Sequence, residues 1–247
     1  MSTPLLSVSK LSISFAGIKA VQNLSMEVNE GEIVGLIGPN GSGKSTTVNM
    51  ISGTYVPDSG DIVFDGHHLR KSDSIAHRSR LGIGRTFQTP KPFENLSVYD
   101  NVLSIALLRH SFADAQKKTS EILEISGLER FHSMQSSKLS IERRKWLDLA
   151  RVLATEPKLI MMDEVMAGLN PNEMSESLEF VREINRQGIT ILFIEHVMRA
   201  VVSICSRVVV LNEGKFLFGG TPMDALNDPQ VIRAYIGGSG NEQHADS

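Results

Sequence analysis

Gly38-Pro39-Asn40-Gly41-Ser42-Gly43-Lys44-Ser45-Thr46 is the stretch on which the reading of this chain turns. It fits the pattern G-x-x-x-x-G-K-[ST], with Gly38, Gly43, Lys44 and Ser45 at the required spacing. Glycines let a backbone wrap tightly, so that its N–H groups converge on a triphosphate. Asn40, Gly41 and Thr46 belong to the same wrap. The Lys44 ammonium can neutralise β- and γ-phosphates, and the Ser45 hydroxyl can sit on Mg²⁺. The flanks agree with this reading. Ile33-Val34-Gly35-Leu36-Ile37 is a short apolar run of the kind a buried strand shows, and Thr46 to Ile51 opens a helix.

Working outward, a phosphate loop needs a carboxylate at the end of a neighbouring strand. Asp163 follows the apolar run Leu159 to Met162, so it can hold Mg²⁺ directly or through water. Glu164 comes next and is placed to polarise an attacking water. His196 follows a second apolar strand, Thr190 to Ile194. Parallel α/β sheets bind their ligands at the carboxyl ends of the strands, so His196 reads as a sensor of the γ-phosphate. Gln88 lies in Gly84-Arg85-Thr86-Phe87-Gln88. It can ligate Mg²⁺ or position water, but glutamine is equally at home in loops, and chemistry alone does not separate the two.

The chain has 247 residues and a formal net charge of −3, enough for one large domain with a real core. No long basic run appears, which argues against a nucleic-acid partner. Cys205 is the one cysteine, so an intramolecular disulfide is excluded and a reducing compartment is favoured. Met1 to Leu6 lacks a basic segment before an apolar run, so no signal peptide is expected. The longest apolar region, Ile189 to Leu211, is interrupted by Glu195, His196, Arg199 and Arg207 and does not read as a membrane span. A protein soluble by itself is expected, with membrane association through a partner.

Alternation over Leu11 to Phe15 and Asn23 to Val28 predicts half-exposed strands, and Asp61 to Asp65 predicts another. From Ser97 to Gly127 the spacing turns helical. A long helix follows Ser140 and ends near Pro157, and Asn172 to Gln187 predicts a helix before the strand at Thr190. The strand–helix–strand rhythm predicts a parallel sheet with crossover helices.

Taken in order, Gly38 to Thr46, Gln88, a helical insertion, Leu139-Ser140, Asp163-Glu164 and His196 resemble the ATPase subunits of ATP-binding cassette (ABC) transporters over nearly the whole chain. The resemblance implies an α/β fold: a mixed parallel sheet core carrying the phosphate loop, an antiparallel β lobe, and a helical subdomain inserted at roughly 95 to 155. One domain over 1–247 with a mobile tail at 238–247 is expected. The resemblance also implies ATP and Mg²⁺, with Ser45, Gln88 and Asp163 as metal ligands. Glu164 becomes the catalytic carboxylate, His196 the switch histidine, and the Gln88 loop the link to a membrane partner. Phe15 matches the aromatic that stacks on adenine, although Leu11, Ile13 and Phe15 share one strand face and could equally be core. Ser140 belongs to the signature that meets ATP on a second cassette.

More narrowly, Arg85-Thr86-Phe87-Gln88, Ala167-Gly168-Leu169-Asn170-Pro171 and the ending around Thr221-Pro222, Asp228-Pro229 and Ala234-Tyr235-Ile236-Gly237 are similar to bacterial importers of branched-chain amino acids, amides and urea. That implies membrane-spanning permeases, a second cassette and a periplasmic solute-binding protein, with this chain at the cytoplasmic face of the inner membrane. Two rivals are the ATPase of a lipid or lipopolysaccharide exporter, of similar length, and a non-transport cassette ATPase.

Three positions depart from the family. The signature Leu-Ser-Gly-Gly-Gln is here Leu139-Ser140-Ile141-Glu142-Arg143, Val165 replaces a proline, and Asn170 replaces a common aspartate. Glu142 brings a negative charge to a triphosphate site, and two unit charges about 5 Å apart at an effective dielectric near 20 repel by roughly 3 kcal/mol. Arg143 or Arg144 can offset part of this. On this ground a paralogue is favoured over a second copy as the partner cassette.

Overall fold

The computed structural model describes residues 3–238. In chain order its elements are β1 (Leu6–Phe15), β2 (Ile18–Val28), β3 (Ile33–Ile37), α1 (Lys44–Ser52), β4 (Ser59–Phe64), β5 (His67–His68), α2 (Ile75–Leu81), β6 (Ile83–Arg85), α3 (Val98–Ala106), α4 (Phe112–Ile125) and α5 (Ile141–Leu153). Then come β7 (Leu159–Asp163), α6 (Pro171–Arg186), β8 (Thr190–Ile194), α7 (Met198–Ile204), β9 (Arg207–Asn212), β10 (Lys215–Gly220), α8 (Pro222–Asn227) and α9 (Pro229–Gly238). Residues 3–75 with 190–238 form one unit, and residues 76–189 form another.

The first unit holds two sheets. One is the antiparallel lobe, with strand order β2-β1-β4-β5. In the other, β3 pairs in parallel with both β8 and β9, and β10 closes antiparallel on β9, so the sheet is mixed as the resemblance implies. Every residue of β3 and β8 is buried, which is why both read as unbroken apolar runs rather than alternations.

Strand β1 is longer than alternation predicts, and a bulge explains why. Leu6 and Val8 are buried on even numbers, then Leu11 and Ile13 on odd numbers. Between them Lys10 takes φ 48° and the register with β2 shifts. One extra residue flips the side-chain phase, so an alternation template loses the first half of the strand. Two further shifts follow, after Leu11 and after Ile13. Phe15 therefore does not join the core and stands 42 % exposed. The hairpin β9–β10, not foreseen by alternation, turns on Glu213 and Gly214, both at positive φ, as a two-residue turn between twisted strands requires.

In the second unit β6 and β7 pair in parallel. Helices α3, α4 and α5 lie within the stretch 95–155 read as an inserted helical subdomain. Ser97, Ser111 and Ser140 cap these helices, each accepting a backbone N–H three residues on. The tail read at 238–247 begins where α9 ends, and 239–247 lie outside the described residues.

Candidate nucleotide site

The loop after β3 is built from backbone that only glycine adopts cheaply. Gly38, Gly41 and Gly43 have φ of 147°, 75° and 101°. A Cβ on Gly38 would lie 2.2 Å from the Leu211 carbonyl oxygen, and one on Gly43 would lie 2.7 Å from the Ala20 carbonyl oxygen. Gly43 is also the N-cap of α1, so the helix begins with no side-chain cap and no acidic residue in its first turn. Its positive end is left for an anion. Lys44 is buried and donates from Nζ to the carbonyls of Gly38 (2.7 Å) and Pro39 (3.0 Å). The Ser42 hydroxyl is buried and has no hydrogen-bond partner among the described residues. A glycine cradle, an orphaned hydroxyl and an uncapped helix start are the fittings a phosphate needs. Asn40 and Ser45 are exposed along the loop and Thr46 is half-buried.

Strand β8 runs beside β3 in parallel, with Leu36 opposite Ile194. His196, two residues beyond β8, therefore leaves the sheet at the same edge as the phosphate loop, and it is exposed. Glu195 between them is fully buried. Burial, with Glu195 adding to it, pushes the Cys205 thiol up to about 12, so that thiol is unreactive. Phe15, also in this unit, meets Tyr55 edge to face at 5.2 Å.

The second unit brings Gln88, Asp163 and Glu164 together. Asp163 is the last residue of β7 and is buried, with its carboxylate 3.1 Å from the Arg85 guanidinium. Its backbone N–H donates to the Thr86 hydroxyl at 3.2 Å. Glu164 takes φ 52°, an uncommon conformation for a residue with a side chain, of the kind that clusters at functional sites. Gln88 donates from Nε2 to a Glu164 carboxylate oxygen at 2.6 Å. Arg85 and Thr86 enter the sequence reading only through the family resemblance, and nothing in their spacing reveals these contacts.

Ser140 caps α5, accepting the Arg143 N–H at 3.2 Å. Ile141 is 72 % exposed, whereas Glu142 is only 7 % exposed. The expectation that Glu142 presents its charge to a triphosphate is thus corrected: the carboxylate is tucked in beside Arg143. Burial raises its pKa; Arg143 and Arg130 work against this, and Glu173 and Glu176 reinforce it. Helix α5 also carries contacts that sequence reasoning missed. Lys145 donates to the carbonyls of Val165 (3.2 Å) and Ala167 (2.5 Å), just after Glu164. Asn170 serves α6 as well as an aspartate would, accepting the N–H groups of Asn172 and Glu173 in a full capping box.

A glycine phosphate loop ahead of a helix, with a strand-end carboxylate pair, defines a nucleotide-hydrolysing protein of the P-loop class. Residues 21–167 match the ABC transporter family. The chain is 39 % identical over 256 residues to the branched-chain amino acid transport ATP-binding protein LivG of Salmonella typhimurium, covering 96 % of this chain and 99 % of that one. It is 33 % identical to the lipopolysaccharide export ATP-binding protein LptB of Haemophilus influenzae, over 94 % of this chain and 97 % of that one. The crystal structure of an ATP-binding cassette of an ABC transporter in its ADP conformation superposes with TM-score 0.86 at 30 % identity, covering 96 % of this chain and all of that one. The chain belongs to the ABC transporter family, as an ATP-binding and ATP-hydrolysing cassette.

Proposed function

We propose that this cassette powers a bacterial importer of branched-chain amino acids or of related small amides or urea. The observation that carries the substrate class is the end-to-end similarity to the branched-chain amino acid relative, 39 % identical over 96 % of this chain, against 33 % for the lipopolysaccharide relative. The phosphate loop and the Gln88–Glu164 pair support the chemistry.

In this reading the ATP phosphates take the N–H groups of the Gly38–Thr46 loop and the charge of Lys44. Mg²⁺ would be held by Ser45, Gln88 and Asp163, where, when bound, it neutralises charge on the phosphate oxygens. Glu164 polarises the attacking water and Gln88 orients it. His196 hydrogen-bonds the γ-phosphate, and Phe15, with its exposed face, stacks on adenine. Ser140 meets the ATP of the facing cassette.

The partners in this reading are two permeases, a second cassette and, beyond the membrane, a solute-binding protein, with the chain on the cytoplasmic face. No helix among the described residues is long and apolar enough to cross a membrane, in keeping with a peripheral subunit. Phe93 (46 % exposed) and Leu96, which follow the Gln88 loop and stand exposed, are candidates for the permease surface. The charge argument for a paralogue weakens with Glu142 tucked in; ATP turnover of the chain alone, against the mixture with the paralogous cassette, separates the two pairings. The test of substrate class is ATP-driven uptake of labelled leucine, propionamide and urea into vesicles bearing the permeases encoded beside this chain. Uptake of one of them is expected. No uptake, with release of lipopolysaccharide instead, would overturn the importer reading.

A further inference from the structure

The altered signature comes with its own counterweight. Arg143 is almost immobilised. Its guanidinium stacks on the Trp146 ring at 3.9 Å, and its Nη2 donates to Glu176 on α6 at 3.1 Å. Trp146 is itself held, donating to the Ser177 hydroxyl at 2.9 Å and tilting against Phe180. The edge of Arg143 left over, Nε, lies 3.6 Å from one Glu142 carboxylate oxygen. The other Glu142 oxygen is buried and has no hydrogen-bond partner among the described residues. Arg144 serves elsewhere: it donates to the carbonyls of Leu139, at 3.1 Å, and Ser137. Of the two arginines weighed against Glu142, only Arg143 is in place.

We infer that Arg143 is a positioning residue that holds the Glu142 carboxylate back, so that Ser140 and the first turn of α5 can receive the terminal phosphate of ATP bound on the facing cassette. The inference rests on the cassette reading above. Its physical basis is a balance of charge around Glu142. Glu173 and Glu176, on α6, push the carboxylate away from that helix, and Arg143 is the nearest cation pulling it in. Without Arg143 only the weaker pull of Arg130 remains, and the two carboxylates of α6 prevail. The carboxylate is then driven toward water and toward the positive end of α5, where it competes with the phosphate.

The test is steady-state ATP turnover of the assembled transporter carrying Arg143→Gln, Glu142→Gly/Arg143→Gln, or Lys44→Ala. Arg143→Gln should raise KM for ATP by roughly tenfold while changing kcat less, because the repulsion opposes ATP-driven closure of the pair. Adding Glu142→Gly should bring KM back to within about twofold of the parent, since the charge that needed holding is gone. A merely structural role for Arg143 predicts no such rescue. An unchanged KM in Arg143→Gln, or a double variant as impaired as the single, overturns the inference. If Arg143→Gln does not fold, Arg143→Met keeps a stem against Trp146 and replaces it in both variants. Lys44→Ala must abolish turnover. If it does not, the cassette reading has failed, whereas a failed rescue beside an inactive Lys44→Ala counts against Arg143 alone.

Discussion

Gly38→Ala and Gly41→Ala separate two costs that a phosphate loop imposes. Both residues have positive φ, 147° and 75°, so alanine at either is strained by about 1–2 kcal/mol. Only Gly38 is also hemmed in. Its new Cβ would sit 2.2 Å from the Leu211 carbonyl oxygen and 2.7 Å from the Ser42 hydroxyl, whereas nothing lies within 4 Å of a Cβ on Gly41. The Leu211 carbonyl cannot step aside cheaply, because β9 is paired to β3 through Val209 and Val210. Forced overpacking adds about 1–3 kcal/mol, so Gly38→Ala should cost roughly 2–5 kcal/mol in all. For a chain of this size each kcal/mol lowers Tm by about 2–4 °C. Scanning calorimetry should therefore find Gly41→Ala a few degrees below the parent and Gly38→Ala on the order of 10 °C below it. Nucleotide sharpens the contrast. ATP at about 100 times its Kd stabilises a binding-competent chain by roughly 2.7 kcal/mol, and Gly38→Ala, with its loop displaced, should lose that gain. Equal melting temperatures for the two variants, or a full ATP shift in Gly38→Ala, would refute the account of how this loop is held.

Glu164→Gln should retain ATP binding and lower turnover of the assembled complex about 10²–10⁴-fold, the range for a lost general base, with near-normal turnover as the contrary result. Phe93→Ser should uncouple transport from hydrolysis while leaving the melting temperature close to the parent's, because the ring is half exposed and rests on Arg151 at 4.6 Å; a large fall in Tm would place it in the core instead. Glu142→Gln should raise stability at neutral pH. The folded-state pKa of Glu142 is raised above its usual 4.5, so its contribution is fully present below that value and lost as pH rises through the folded pKa. The Tm difference from the parent should thus be positive near pH 7 and vanish near pH 4, and a difference flat across that window would count against a buried carboxylate.

Much of the fold was legible because its buried parallel strands carry unbroken apolar runs. Ile33–Ile37 and Thr190–Ile194 could be read without a partner in view. What escaped was decided by phase or by neighbours distant in sequence. The bulge at Lys10 moved Leu6 and Val8 out of step with Leu11 and Ile13, and the shift after Ile13 took Phe15 off the inner face that alternation assigns it. At the site, Asp163, Glu164 and Gln88 were legible by type and order, but the 2.6 Å bond between Gln88 and Glu164 joins residues 76 apart in sequence. Glu142 was legible as a charge but not as a direction. Its orientation depends on Arg143, which depends in turn on Trp146 and Glu176.

Helix α5 ties several parts of the second unit together. Ser140 at its start is the residue that faces a second cassette in the proposed assembly. One turn on, Lys145 holds the carbonyls of Val165 and Ala167 behind Glu164. Further along, Asp148 is buried, which raises its pKa; Arg151 at 3.3 Å and the backbone N–H groups of Phe87 and Lys91 oppose that shift. Arg151 also donates to the Lys91 carbonyl at 2.8 Å. The part-buried Asp148–Arg151 pair and the Arg151–Lys91 hydrogen bond tie the segment at Lys91, just after Gln88, to α5. The loops that carry Gln88 and Glu164 are therefore fastened to the same helix that Ser140 caps. Ser140 is thus joined to both loops by packed, hydrogen-bonded contacts within one unit.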